Sequence, residues 1–343
     1  METLMAPAPR LAVILAGGLG TRLRPLTLHT PKALLPVVNR PLISYELEWL
    51  RRAGVERVIL SVAEQAEALE AGLGHQWQGL ELIYRREPQP LDTAGALKFA
   101  AGDLAETFWA LNGDLIFDFD PAPMVAEHRE RQALLSIALR QVADVAPFGL
   151  IHRDASGQVT AFLEKVAADP TGQNTVNAGI YLLEPAALAP VPLGEAYSNE
   201  RQLFPGLVAA GERVLGYLPA NLDYWADVGR LETYLRANHD LLAGALPWPV
   251  AETAPPAAVP AGMVLAPCAI AEAVTIEPGS EVGPFVSVGA GARIAAGARV
   301  TESIIHPCAA LEAGVNLSQV VVAAGQVVPA GHRQQGGIID HVR

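Results

Sequence analysis

The chain has 343 residues, 51% hydrophobic and 17% charged, enough apolar content to fill the cores of two domains. Its net charge of −12 excludes the broad basic surface that nucleic-acid binding requires, so any anion it binds must meet a local cationic pocket. Cys268 and Cys308 fit neither a zinc motif nor a disulfide framework, and no run is long and apolar enough for a membrane span, so a cytoplasmic protein is expected.

After a short Pro/Ala-rich start, "LAVILA" (11–16) is a continuous apolar run, the mark of a strand buried on both faces. A glycine-rich loop follows. "LISYELEWLRRAG" (42–54) has helical period and ends at a Gly, and "RVILSV" (57–62) is a second buried strand. "LELIYR" (80–85), "TFWALNGD" (107–114), "ALLSIALR" (133–140) and "NAGIYLL" (177–183) continue the series. Strands alternating with helices predict an α/β domain over 10–242 built on a Rossmann-like, mostly parallel sheet. Residues 243–262 are rich in Pro and Ala and read as a linker. Beyond it, Val264, Ile270, Ile276, Val282, Val288, Ile294 and Val300 fall six residues apart. The register then slips by one, and Ile305, Leu311 and Leu317 resume the step. A strict hexad of aliphatics predicts a parallel β-helix over 263–332, with 333–343 as a tail.

The loop "LAGGLGTRLRPLTLHTPK" (15–32) carries three glycines in four residues, then Arg22, Arg24 and Lys32. It is not a dinucleotide fingerprint, because Leu23 stands where the third Gly belongs. It is not a P-loop, because Arg22 stands five residues after Gly17. What remains is a backbone nest for an anion, supplemented by guanidinium and ammonium groups.

With these residues in view, the chain resembles the sugar-1-phosphate nucleotidyltransferases. The likeness runs from the loop through "EPQPLDTAGAL" (87–97), "LNGDLIFDF" (111–119), "FLEK" (162–165), "NAGIY" (177–181) and "YWADVG" (224–229) to the hexad region. Within that family it is most similar to mannose-1-phosphate guanylyltransferases, and also to uridylyltransferases. The resemblance implies a left-handed β-helix, an NTP and a sugar 1-phosphate as substrates, Mg2+ as cofactor and a homo-oligomer formed through the β-helix. It implies that Ala16, Gly17, Gly18 and Gly20 wrap the nucleotide phosphates, Arg22 grips the leaving pyrophosphate and Lys32 serves the α-phosphate. Asp114 and Asp227 are the implied metal ligands, and Glu87, Asp92 and Thr93 line the base. Gly149, Glu164, Lys165, Asn177 and Gly179 line the sugar phosphate. Guanylyltransferases of this kind usually read Leu-Gly-Thr where this chain reads Leu91-Asp92-Thr93, and some uridylyltransferases carry an acid there, so the base stays open.

Two further readings compete. A non-catalytic sugar-nucleotide-binding subunit would be expected to lack a clamp or a metal ligand, whereas Arg22, Lys32, Asp114 and Asp227 are all present. A second, acyl-transferring activity would need a base such as His306 at an accessible corner of the β-helix.

Overall fold

A computed structural model describes residues 8–102, 104–143, 149–163, 174–222, 224–247 and 264–340. The chain divides into two compact units, one holding residues 1–18 and 46–225, the other residues 19–45 and 226–343.

The first unit is built on a sheet whose parallel centre has Leu11–Leu15 flanked by Arg57–Val62 on one side and Phe108–Asn112 on the other. Leu80–Arg86 pairs in parallel with Arg57–Val62. In chain order these four strands lie 3-2-1-4, the doubly wound arrangement in which strand order reverses beside the first strand. Beyond Phe108–Asn112 the sheet turns antiparallel through Thr175–Leu183, which also pairs with Leu135–Gln141. The continuous apolar runs are explained by burial from both sides: Val13, Ile59, Ala110, Ile137 and Tyr181 share a core with Leu97 of helix Asp92–Ala101 and Phe204 of helix Phe204–Ala209. Each such large aliphatic or aromatic side chain contributes roughly 1.5–3 kcal/mol.

The second unit contains a left-handed parallel β-helix of three stacked sheets, five, four and four strands deep. The first turns pair at an offset of 18 residues (Ile270 with Val288, Ile276 with Ile294, Val282 with Val300), the later ones at 17 (Val288 with Ile305, Leu311 with Val328, Val322 with Ile339). The slip after Val300 is therefore repeated once per later turn. All the hexad aliphatics from Ile270 to Leu317 share one buried apolar core. Strands continue past residue 332, through Arg333–Gln335 and Ile338–Ile339, where a tail was expected.

Each turn needs three corners, and each corner uses a residue at positive φ. They recur as Ala273, Gly291, Cys308 and Gly325, as Gly279, Gly297, Gly314 and Gly331, and as Phe285, Glu302, Gln319 and Gly336. Helix Leu231–Leu242 and the hairpin Pro36–Val37/Arg40–Pro41 fall in the same compact unit as the β-helix. Most of the expected linker, from residue 248, lies outside the described residues.

Candidate active site

The reversal of strand order marks the carboxyl edge where ligands of doubly wound sheets bind. There the strand Leu11–Leu15 opens into Ala16, whose N–H donates to Ser61 O at 2.9 Å, and then into Gly17 and Gly18. Gly18 is exposed, and a Cβ there would meet nothing within 4 Å, so a ligand can approach its backbone. A Cβ on Gly17 would sit 3.0 Å from Glu87 Oε1. The Glu87 carboxylate is itself fixed, accepting from Ser61 Oγ at 2.9 Å and from Leu91 N–H at 3.1 Å.

On the neighbouring strand, Gly113 donates its N–H to Leu15 O at 3.0 Å, and a Cβ there would lie only 2.7 Å from that oxygen. The missing side chain lets "LNGD" close against the first strand, which brings half-buried Asp114 to the edge that carries Gly17 and Gly18. Gly179, at φ 77, is held bare in the same way: a Cβ would fall 2.8 Å from Asn112 Nδ2. Its N–H donates to Asn177 Oδ1 at 2.9 Å, while Asn177 Nδ2 donates to Tyr181 Oη at 2.8 Å and to Glu200 Oε1 at 2.9 Å. Burial, with Glu200 and Asp114 adding to it, pushes the Tyr181 hydroxyl above the ordinary phenol range, so it is a neutral partner here.

The chain passes into the second unit at Leu19. Gly20 has φ 56, and a Cβ would meet Thr27 Cγ2 at 2.9 Å and the Lys32 side chain at 3.2 Å. Thr27 Oγ1 donates back to Gly20 O at 2.9 Å. The glycine thus lets the stem of Lys32 lie against the loop. Arg22 occupies the short turn Thr21–Leu23. Its guanidinium and the Asp227 carboxylate converge on Gly229, since a Cβ there would be 2.8 Å from Arg22 Nη2 and 2.8 Å from Asp227 Oδ1. Two sequence-distant site residues therefore meet over one bare Cα. Asp227 ends the strand Tyr224–Asp227.

Asp92 is the first residue of helix Asp92–Ala101 and has φ 55, a conformation natural to glycine and tolerated by aspartate. Its carboxylate accepts from Thr93 N–H at 2.7 Å and from Arg201 Nη2 at 2.6 Å. Thr93 Oγ1 accepts from Asn199 N–H at 2.7 Å. Gly149 is exposed, and a Cβ there would make only an ordinary contact with Leu163 O at 3.8 Å, so the protein itself does not require a glycine. Glu164 and Lys165 lie outside the described residues. Asp118 and Asp120 serve the fold: the first pairs with Arg52 at 2.9 Å, the second accepts from Ala122 N–H at 3.0 Å. His306 is buried, with Nε2 3.0 Å from Tyr234 Oη, and presents no accessible base for acyl transfer.

Ala16, Gly17, Gly18, Glu87, Asp114, Asn177 and Gly179 thus share the first unit, while Gly20, Arg22, Lys32 and Asp227 share the second. Gly113, Tyr181, Arg201 and Gly229 were not singled out from sequence. Gly229 closes the "YWADVG" segment, but nothing in that segment announces Arg22 as its neighbour.

Residues 11–244 match the family described as Nucleotidyl transferase. The chain is 35% identical over 306 residues to a mannose-1-phosphate guanylyltransferase of Mycobacterium tuberculosis, covering 88% of this chain and 81% of that relative. It is 36% identical over 229 residues to the mannose-1-phosphate guanylyltransferase catalytic subunit beta of Drosophila pseudoobscura pseudoobscura, covering 65% of this chain and 60% of that one. A UTP–glucose-1-phosphate uridylyltransferase of Synechocystis is 32% identical over 248 residues, with 68% and 63% covered. Among solved structures, HddC from Yersinia pseudotuberculosis complexed with GMP-PN has a TM-score of 0.58 at 26% identity, covering 68% of this chain and 99% of that one. With the doubly wound sheet, its glycine loop and the match across most of the chain, this protein belongs to the nucleotidyl transferase family.

Proposed function

We propose that this protein transfers a nucleotidyl group from an NTP to a sugar 1-phosphate, and that the pair is GTP and mannose 1-phosphate. The observation that carries the reaction class is the convergence of Arg22 and Asp227 on the bare Cα of Gly229, beside the glycine loop on which the family likeness rests. Such a loop suits a polyphosphate, and the two charges suit its leaving end and a bound cation. The choice of guanine and mannose rests on the names of the Mycobacterium and Drosophila relatives. Asp92, which stands where such guanylyltransferases usually have Gly, gives its carboxylate to Thr93 N–H and Arg201 Nη2, and the choice of base is left to the assay below.

In this reading a phosphate oxygen of the sugar 1-phosphate attacks the α-phosphorus. The bond from that phosphorus to the bridging oxygen breaks, and its electron pair leaves with pyrophosphate. The attacking oxygen is already ionised, so no protein base is required. The chain's work is positioning and charge stabilisation. Gly17, Gly18 and Gly20 hold the phosphates through backbone N–H groups while Ala16, its own N–H given to Ser61 O, leads the strand into the loop; Arg22 takes the charge growing on pyrophosphate, and Lys32 neutralises the α-phosphate oxygens. Glu87 and Thr93 line the base, and Gly149, Asn177 and Gly179 line the sugar, with Glu164 and Lys165 assigned by resemblance.

Asp114 and Asp227 would hold Mg2+. Among the described residues no group of three or more His, Cys, Asp or Glu could cage an ion. One or two carboxylates completed by substrate phosphates is the donor set magnesium accepts. Bound there, the ion would offset phosphate charge. Self-association through the β-helix belongs to the same proposal: Glu281, Arg293, Arg299 and Val327 are exposed on two of its sheets, and sedimentation measures it.

Pyrophosphate release across a matrix of NTPs and sugar 1-phosphates, with and without Mg2+, tests this reading. GTP with mannose 1-phosphate is expected to be the best pair and to require the metal. Preference for UTP or dTTP would overturn the substrate while leaving the class. Asp114→Asn and Asp227→Asn are each expected to abolish metal-dependent release, and normal turnover by either would remove the metal assignment.

A further inference from the structure

The segment that carries Lys32 does not end there. Four residues on, Pro36–Val37 and Arg40–Pro41 form a hairpin with Pro36 opposite Pro41 and Val37 opposite Arg40. The two residues at its tip, Val38 at φ 47 and Asn39 at φ 60, both have positive φ. That is the geometry of a type I′ turn, whose favoured occupants are Asn-Gly. A β-branched residue such as Val38 is an outlier there, and so short a hairpin does not persist alone. Something must hold it.

The holding groups come from the β-helix and from helix Leu231–Leu242, in the same compact unit. Asn39 Nδ2 donates to Ala269 O and to Val288 O, each at 3.1 Å, spanning two adjacent strands of the coil. Val38 N–H donates to Asn238 Oδ1 at 3.0 Å, and the same oxygen accepts from Ser287 Oγ at 2.8 Å. Tyr234 Oη donates to Pro36 O at 2.6 Å and lies 3.0 Å from His306 Nε2. The hairpin in turn closes the Lys32 turn: Leu35 N–H donates to Lys32 O at 3.1 Å, and Leu42 N–H to Leu35 O at 3.0 Å.

We propose that the β-helix positions Lys32, with Asn39 as the positioning residue that clamps the Pro36–Pro41 hairpin to the carbonyls of Ala269 and Val288. The coil is on this view part of the catalytic apparatus. The inference rests on the role proposed for Lys32. If Lys32 acts on the α-phosphate in the transition state, loosening its support lowers turnover more than substrate binding, since small misplacements of a reacting group are costly.

Asn39→Gly tests this, because glycine keeps the positive φ and removes only the two side-chain hydrogen bonds. The readouts are kcat, KM for both substrates, and amide hydrogen exchange across 32–42 and 264–340. The expected result is a kcat lower by about tenfold with each KM within about twofold, and exchange at Leu35 and Leu42 faster by about tenfold with the coil still protected. Unchanged kcat with unchanged exchange overturns the clamp. A raised KM at unchanged kcat overturns the positioning role, and loss of protection throughout the coil reduces Asn39 to a folding residue and overturns it too. Faster exchange at Leu35 and Leu42 in a chain whose wild type releases no pyrophosphate from any substrate pair overturns the catalytic reading, while the mechanical link from coil to loop stands.

Discussion

At Gly229 one missing methyl group keeps two charged side chains together. A Cβ there would stand 2.8 Å from both Arg22 Nη2 and Asp227 Oδ1, closer than carbon tolerates, so both side chains would have to move. Gly229→Ala is therefore expected to lower kcat by about 10- to 100-fold, as misplaced clamps do, with the melting temperature little changed. Steady-state kinetics beside a thermal melt checks it; wild-type turnover would show that Arg22 and Asp227 do not act from this geometry. Lys32→Ala is expected to lower kcat far more than it weakens nucleotide binding, and a pure binding loss would recast Lys32 as a substrate clamp. The glycine loop could be read from sequence because its glycines and cations stand side by side. Gly113 and Gly229 could not, because the need for glycine is imposed by Leu15 and Arg22, which only the folded chain brings near. Asp92 shows the opposite case. Its position in the sequence was noticed, but its φ of 55 and its pairing with Arg201 decide what the side chain does.

At the scale of the element, the hexads named their own core from Ile270 to Leu317, since one inward aliphatic per short strand has no other period. One sheet carried a second signal. Its strands place Ala269, Ser287, Ile304 and Val321 just before the inward residue, and all four are buried as well. A doublet such as Ile304-Ile305 or Val321-Val322 marks a strand covered on both faces. It does not say by what, which is why Asn238 and Asn39 went unread as the polar contacts of that face. The corners make a prediction with two opposite signs. Cys308 is exposed and sits at φ 59, where a non-glycine residue is strained, while Gly314 sits at φ 70 on the same turn. Cys308→Gly is expected to stabilise the chain and Gly314→Ala to destabilise it, each by about 1 kcal/mol. Urea denaturation of the two variants reads both, and equal signs would mean that the corners do not carry this strain.

Across the whole molecule, each unit buries one histidine among its described residues, in the neutral form. In the first unit His128 is held between Ser136 Oγ at 2.8 Å and Glu184 Oε1 at 3.3 Å, and burial lowers its pKa despite that carboxylate. In the second, His306 is lowered to about 4 by burial alone. Its bonding is consistent with that state: the Tyr234 hydroxyl spends its proton on Pro36 O, so His306 Nε2–H must be the donor to Tyr234 Oη. A histidine whose folded pKa lies below its unfolded value binds its proton more readily when unfolded. Unfolding stability therefore rises with pH between the two values, is complete above about pH 6.5, and is lost as pH falls toward 4. For His306 that loss amounts to about 3 kcal/mol, spread over the window from about pH 6.5 down to about pH 4. The wild type is thus expected to have a markedly lower urea midpoint at about pH 5 than at about pH 7.5, with little change above pH 7. His306→Gln is expected to be less stable at neutral pH, having lost a fitted ring, yet to lose less on acidification because one buried titrating group is gone. Parallel pH curves for the two proteins would show that His306 contributes nothing to acid lability.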